Sequence, residues 1–372
     1  MHKVHLTGTG VFTPSESITN DELVGAFNAF ADAENTAHQD AILAGTRVAV
    51  PQSSSEFIFK ASGIERRFVL NKSGVLDPQT MHPVLPPRSD DEISVMAEMA
   101  VDAAHEALAM AGIEASSIGA VICAASNHER AYPAIAIEVQ KAIGAGGFAF
   151  DMNVACSSAT FGITVAADMI RAGTVGRILM VNPEICSAHL EWRDRDCHFI
   201  FGDVCTAVVL ERAGPETGGF EIISTRLLTE FSNNIRNNNG FLRRTRLGAM
   251  GDNRDMLFKQ EGRKVFKQVV PMVAELIQNH LADEHMAPAD LKRLWLHQAN
   301  KGMNDLIGNR VLGREPTRRE QPNILQDYAN TSSAGSIIAF SQFSSDLKSG
   351  DLGVICSFGA GYSVGSVILR KV

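Results

Sequence analysis

A seven-residue frame occurs twice in this chain, and its repetition constrains the fold more than any other feature. Asn153-Val154-Ala155-Cys156-Ser157-Ser158-Ala159 is followed, 177 residues on (Asn153 to Asn330), by Asn330-Thr331-Ser332-Ser333-Ala334-Gly335-Ser336. With the same offset, Gly173 falls on Gly350, Gly176 on Gly353 and Ile178 on Ile355. Each copy reads as a turn of small residues, a helix, a glycine stop and a buried strand. The pattern predicts two duplicated α/β halves, over residues 1–214 and 215–372, with the Gly- and Pro-rich run 214–219 at the seam. Duplication explains the frame. It does not explain why one copy places a thiol, Cys156, at its helix start while the other carries an amide, Asn330, just before.

Composition narrows the function. The 372 residues suit two fused halves better than one core. An apolar share of 45% with 20% charged residues is that of a globular protein, and a net charge of −8 argues against a nucleic-acid partner. Six cysteines show no CxxC and no zinc spacing, and several sit in apolar runs such as Val121-Ile122-Cys123-Ala124. Free buried thiols in a reducing compartment are expected, with no metal. The chain enters a strand at Lys3 with no leader pattern, and no run approaches the length of a membrane span. A cytoplasmic protein without membrane contact is expected. Thr7-Gly8-Thr9-Gly10 lacks the third glycine of a dinucleotide fingerprint and reads as strand punctuation.

Strands and helices alternate along the chain, which predicts parallel pairing. A helix is predicted over 93–111, capped by Ser89 or Asp90 and stopped by Gly112, with Met96, Met99, Ala100, Ala103, Ala104 and Leu108 on one face. Residues 26–90 hold five prolines and read as an irregular, polar elaboration. The small-residue helix after Ser157 is apolar all round and belongs in the middle of the molecule.

Three polar groups stand at the ends of separate predicted strands. Cys156 closes one strand and opens a helix, where the macrodipole favours a thiolate and is expected to lower its pKa from about 8.5. His297 ends the strand Leu294-Trp295-Leu296 and begins His-Gln-Ala-Asn. Asn330 opens the second copy of the frame. Singly, each has an ordinary reading: a packed core thiol, a satisfied core histidine, a helix cap. Together they point to chemistry, because open α/β sheets gather ligands at the carboxyl ends of their strands.

These residues resemble those of a known family. Ala155-Cys156-Ser157-Ser158, Phe201-Gly202-Asp203, His297-Gln298-Ala299-Asn300, Asn330-Thr331-Ser332 and Phe358-Gly359-Ala360-Gly361 occur in the order found in thiolase-fold condensing enzymes, most closely β-ketoacyl-acyl carrier protein synthase III. Gly63-Ile64-Glu65-Arg66-Arg67 and Val265-Phe266-Lys267 match as well. The resemblance implies a thiolase-like fold with mixed sheets and buried central helices, a homodimer, and no cofactor beyond coenzyme A or phosphopantetheine thioesters as substrates. It implies that Cys156 takes an acyl group from a thioester. Malonyl-acyl carrier protein would then lose carbon dioxide while His297 and Asn330 donate to the enolate oxygen. Backbone N–H groups of Cys156 and Gly361 would form the oxyanion hole. A carboxylate nearby would oppose the enolate, and none stands in the motifs that carry Cys156, His297 and Asn330.

The same resemblance assigns binding positions. Phe57 stands where the family commonly has a Trp stacked on the adenine of coenzyme A, and Gly302 where it often has an Arg. Both departures weaken the case for a short acyl-coenzyme A primer. Tyr132 falls where a partner subunit supplies an aromatic residue to the acyl pocket. Asn300 completes the His-Gln-Ala-Asn motif. Lys267, with Arg243, Arg244, Arg246, Lys259, Arg263 and Lys264 near it in sequence, is the expected dock for an acidic acyl carrier protein. Arg193-Asp194-Arg195-Asp196-Cys197-His198 alternates charge and reads as a salt-bridged loop. Two alternatives stay open: acyl transfer by the same cysteine without decarboxylation, and a non-catalytic protein that binds the carrier.

Overall fold

The computed structural model describes residues 2–238, 240 and 254–372. Its framework is one nine-stranded mixed sheet. From one edge to the other the strands run Leu291–Leu296, Leu352–Gly359, Gly361–Lys371, Phe220–Ser232, Val4–Phe12, Val204–Arg212, Arg177–Glu184, Ala120–Ala124 and Phe148–Met152. The sheet reads the same way outward from its middle. From Val4–Phe12 two antiparallel pairings lead to Arg177–Glu184 and then to parallel strands. From Phe220–Ser232 two antiparallel pairings lead to Leu352–Gly359 and then to a parallel strand. The halves join through a short antiparallel contact, His5 with Glu221 and Leu6 with Phe220. The repeat is incomplete in one place: residues matching the edge strand Phe148–Met152 form the short helix Leu325–Tyr328 instead.

Strand alternation sorts side chains into layers. Ala120, Ile122 and Ala124 face a central cluster with Ala159, Ile163, Ile170, Ile337 and Phe340 from the helices Ser158–Ala172 and Gly335–Gln342. Val121 and Cys123 face the other way, against Met99, Ala103 and Ala107 of the helix Val95–Ala111. In the second half Leu294, Leu296, Val354 and Cys356 pack on Val269, Val273 and Ile277 of the helix Gly262–Asp283. The two frame helices therefore lie sandwiched between the halves, as their small residues require.

The segment expected to be irregular carries helices. Asn20–Ala37 forms an 18-residue helix, followed by Gln39–Leu43, Ser55–Ser62 and Lys72–Leu76. The long helix has a capping box between Thr19 and Glu22 and buries Leu23, Ala26, Phe27 and Ala31. Those signals precede that segment's prolines in the chain. The predicted 93–111 helix starts two residues later, at Val95, and is capped by Ser94 rather than Ser89 or Asp90. Ser89 closes a local turn with Glu92 instead. Gly112 ends this helix in the left-handed region, φ 67°. Among the described residues no helix is long and apolar enough to cross a membrane.

Candidate active site

Both copies of the frame fold into the same turn. The Asn153 side-chain oxygen accepts the N–H of Ala155 at 2.9 Å, and that of Asn330 accepts the N–H of Ser332 at 2.9 Å. Ala155 has φ 48° and Ser332 φ 50°, in a region that L residues seldom occupy. The first turn presents Cys156 just ahead of its helix. Contacts from the second half fix it there: Ser157 Oγ donates to the Ser363 carbonyl at 2.9 Å, and Ser363 Oγ reaches the Val154 carbonyl at 3.3 Å. Gly359 lies flat against the cysteine. A Cβ at this position would sit 2.7 Å from Cys156 Cβ and 3.2 Å from its Sγ, so only glycine leaves room for the thiol.

Cys156, His297 and Asn330 line one cavity of about 280 Å³. Its other walls are mainly apolar, from Phe57, Phe199, Phe201, Phe258, Phe266 and Met303. Burial pushes the Cys156 thiol up to about 11. This reverses the sequence expectation: desolvation outweighs the N–H groups of the helix start. Ser332 Oγ donates to Cys156 Sγ at 3.4 Å and works in the opposite direction, as do the backbone N–H groups of Cys156 and Ala360.

That last group adjoins Gly361, the residue expected to complete the oxyanion hole. The amide directed at the sulfur is that of Ala360, one residue before Gly361. Gly361 instead begins the next strand and pairs with Ser232, so its backbone belongs to the sheet.

His297 directly follows its strand and is held by its backbone: its N–H donates to the Cys356 carbonyl at 2.7 Å, and its carbonyl accepts from Asn304 Nδ2 at 3.0 Å. The ring is buried edge-on against Phe358, centroids 5.1 Å apart, with Nδ1 lacking a hydrogen-bond partner. Burial lowers its pKa to about 4, so the imidazole is neutral at pH 7 and has one N–H to donate. Asn330 is anchored by backbone bonds to Ile200 and Gly202. Its side-chain oxygen is taken by the N–H of Ser332, and the residue lines the cavity.

Of the binding positions, Phe57 and Asn300 line this cavity. Asn300 caps the helix Lys301–Leu312, its Oδ1 accepting from Met303 N, while Nδ2 donates to the Ala61 carbonyl at 2.7 Å. Tyr132 does not line it and is 85% exposed. Lys267 is exposed beside Phe266, which does line it. Lys259 and Lys264 are engaged by Asp255 and Glu261. Arg243, Arg244 and Arg246 lie outside the described residues.

Two functional candidates escaped the sequence reading. Arg195, in the loop of alternating charge, stacks its guanidinium 3.9 Å from the centre of the Phe57 ring and donates to the Gln52 carbonyl. Among the described residues the ion pair of this loop is that of its neighbour Asp194 with Arg254. Glu184 is a buried carboxyl close enough to raise the Cys156 pKa. The motifs that carry Cys156, His297 and Asn330 contain no acid, and this one arrives from the end of another strand.

Comparison with known proteins fits this geometry. Residues 150–230 match the model of 3-oxoacyl-[acyl-carrier-protein] synthase III, and residues 281–371 match the model of its C-terminal part. A β-ketodecanoyl-[acyl-carrier-protein] synthase of Pseudomonas aeruginosa is 60% identical over 93% of this chain and 99% of its own length.

The chain belongs to the β-ketoacyl-[acyl-carrier-protein] synthase III family.

A β-ketoacyl-[acyl-carrier-protein] synthase III of Acidiphilium cryptum is 37% identical over 73% of this chain and 83% of its own. The crystal structure of the Aquifex aeolicus synthase III shares the thiolase-like fold, with a TM-score of 0.76 at 24% identity over 99% of this chain and 100% of that one. This synthase III homologue is therefore an enzyme, a condensing acyltransferase. It joins an acyl primer to malonyl-acyl carrier protein in fatty acid biosynthesis.

Proposed function

We propose that Cys156, His297 and Asn330 carry this condensation, and that its primer is a medium-chain acyl group of the octanoyl class. The convergence of the three side chains on one apolar cavity supports the assignment. Cys156 Sγ attacks the thioester carbonyl, and the donor thiol leaves with a proton. The oxyanion formed during attack is met by the N–H groups of Cys156 and Ala360. Malonyl thioester then loses carbon dioxide, and the neutral His297 and the Asn330 amide donate to the enolate oxygen. The enolate carbon attacks the acyl-Cys156 carbonyl and expels the Cys156 thiolate, which takes a proton from solvent to restore the thiol. Both steps build negative charge on an oxygen, so donors preorganised in an apolar cavity act on the transition state more than on the ground state. No metal or redox cofactor enters these steps.

Product arithmetic in a relative supports this primer. The P. aeruginosa relative is named for a ten-carbon β-ketoacyl product, and removing the two carbons of malonate leaves octanoyl. A homodimer fits two surface features: the edge strand Phe148–Met152 has Phe148 40% exposed and stacked on Phe150, and Tyr132 is exposed away from its own chain's cavity. Lys267 would meet the acidic carrier beside the cavity mouth, in the cytoplasm.

Intact mass after incubation with acyl-coenzyme A and acyl-carrier thioesters tests the reading. An octanoyl adduct absent from Cys156→Ala, followed by carbon dioxide release with malonyl-acyl carrier protein, is expected. An adduct that never triggers that release would leave simple acyl transfer. An adduct on Cys156→Ala would remove the nucleophile assignment.

A further inference from the structure

Glu184 ends the strand Arg177–Glu184 and is 1% exposed. All four of its close donors come from two serines. Ser126 gives its N–H at 2.9 Å and its hydroxyl, and Ser333 gives its N–H at 3.2 Å and its hydroxyl. The Cys186 thiol approaches at 3.9 Å. An uncompensated carboxyl at such depth is costly, and four donors are what satisfy its lone pairs. Burial still pushes it up to about 7.

The two serines belong to different halves. Ser333 stands in the second frame, at the position Cys156 holds in the first, beside Ser332, which donates to Cys156 Sγ. Ser126 follows the strand Ala120–Ala124, and its carbonyl accepts Asn153 Nδ2 at 2.7 Å. Asn153 in turn holds the N–H of Ala155, next to Cys156. The contacts close a ring: Cys156, Ser332 and Ser333, Glu184, Ser126, Asn153, Ala155, and Cys156 again. Glu184 is the member bonded directly to both sides.

We infer that Glu184 is a positioning residue, clamping the Asn330–Ser333 turn onto the cysteine turn so that the enolate donors are held in register with the acyl-cysteine. It touches no substrate and acts through Ser333 and Ser126. The inference rests on the catalytic reading above. Because Ser333 is bonded directly and the cysteine turn only through Ser126 and Asn153, the condensation step depends on the clamp more than acylation does.

Measuring the two half-reactions separately tests this. In Glu184→Ala, carbon dioxide release by preformed acyl-enzyme should fall by roughly tenfold to a hundredfold, the scale of a displaced catalytic group, with acylation within about threefold of wild type. Glu184→Gln keeps the shape and one acceptor oxygen, and should recover most of the loss. Ser333→Ala, which removes one hydroxyl, should lose condensation selectively but less, and carries the test if Glu184→Ala fails to fold. A wild-type ratio of condensation to acylation in Glu184→Ala or Ser333→Ala overturns the inference, as does Glu184→Gln no better than alanine. Acylation that survives Cys156→Ala would instead overturn the underlying catalytic reading.

Discussion

Ala155 and Ser332 occupy the same position of the two repeats, and both are held at positive φ, 48° and 50°, by an asparagine two positions earlier. The shared strain has different uses in the two halves. In the first it presents a thiol to the cavity. In the second it brings Ser332 Oγ to within 3.4 Å of that thiol and leaves Asn330 facing the same space. Duplication supplied one strained turn twice, and the two copies now meet at one sulfur.

The fit of Gly359 against Cys156 gives a sharp steric prediction. Gly359→Ala places a methyl 2.7 Å from Cys156 Cβ, too close for either group to remain in place. Overpacking of this kind costs about 1–3 kcal/mol. Acylation should be nearly abolished while the protein still unfolds cooperatively at a reduced Tm. Wild-type acylation by intact mass would show that the two backbones separate freely, contrary to the structure.

The donors to the enolate predict an unequal effect on the two half-reactions. His297→Ala and Asn330→Ala should each slow malonyl decarboxylation by ~10²–10³, the usual cost of one such donor, and acylation far less. The neutral, buried His297 motivates this, since a ring with its pKa near 4 donates one N–H and carries no charge at pH 7. Equal losses in both steps would mean that His297 chiefly activates the thiol.

Much of this site was legible because its residues lie in local patterns. The repeated Asn frame marked Cys156 and Asn330, and a strand ending in His-Gln-Ala-Asn marked His297. What escaped depends on contacts across the chain. Glu184 meets Ser333 over 149 residues, and nothing local announces the meeting. Arg195 reaches Phe57 only because the helix Ser55–Ser62 packs beside its loop, so its alternating charges suggested ion pairs. The choice between Ala360 and Gly361 turns on which amide leaves the sheet, and sequence does not specify that. The helix Asn20–Ala37 was readable, since Thr19 and Glu22 form its capping box, but the prolines beyond it dominated the reading.

Stability should rise with pH across the acid range. His189, His280 and His297 have pKa values lowered by burial to about 4, and His198 to about 3, against 6.5 when unfolded. Between roughly pH 4.5 and 6 the unfolded chain holds these protons and the folded chain does not, so lowering the pH favours unfolding. Glu184 and Asp203, raised to about 7 and about 6, oppose this, because the folded state keeps their protons longer. Four histidines against two acids leave the histidines in control. Tm should therefore increase from pH 4.5 to 6, and His297→Asn should flatten the rise. A Tm falling over that interval would place the buried acids in control instead.

The last prediction concerns the primer. Phe57 offers a smaller stacking face than Trp, and Gly302 provides no cation for a phosphate, so the coenzyme handle has fewer partners than the family resemblance implies. Arg195 over Phe57 restores part of that grip at the mouth. Deeper in, binding must come from apolar contact, and the cavity around Cys156 is walled by Phe199, Phe201, Phe258 and Met303. Burying an alkyl chain stabilises by ~0.8 kcal/mol per methylene, so each two-carbon step toward octanoyl should raise kcat/KM about tenfold until the chain outgrows its space. A series from acetyl to dodecanoyl, on coenzyme A and on carrier protein, should peak near octanoyl. If acetyl-coenzyme A gives the maximum, the apolar walls serve the pantetheine arm rather than the acyl chain, and the enzyme starts chains from two carbons.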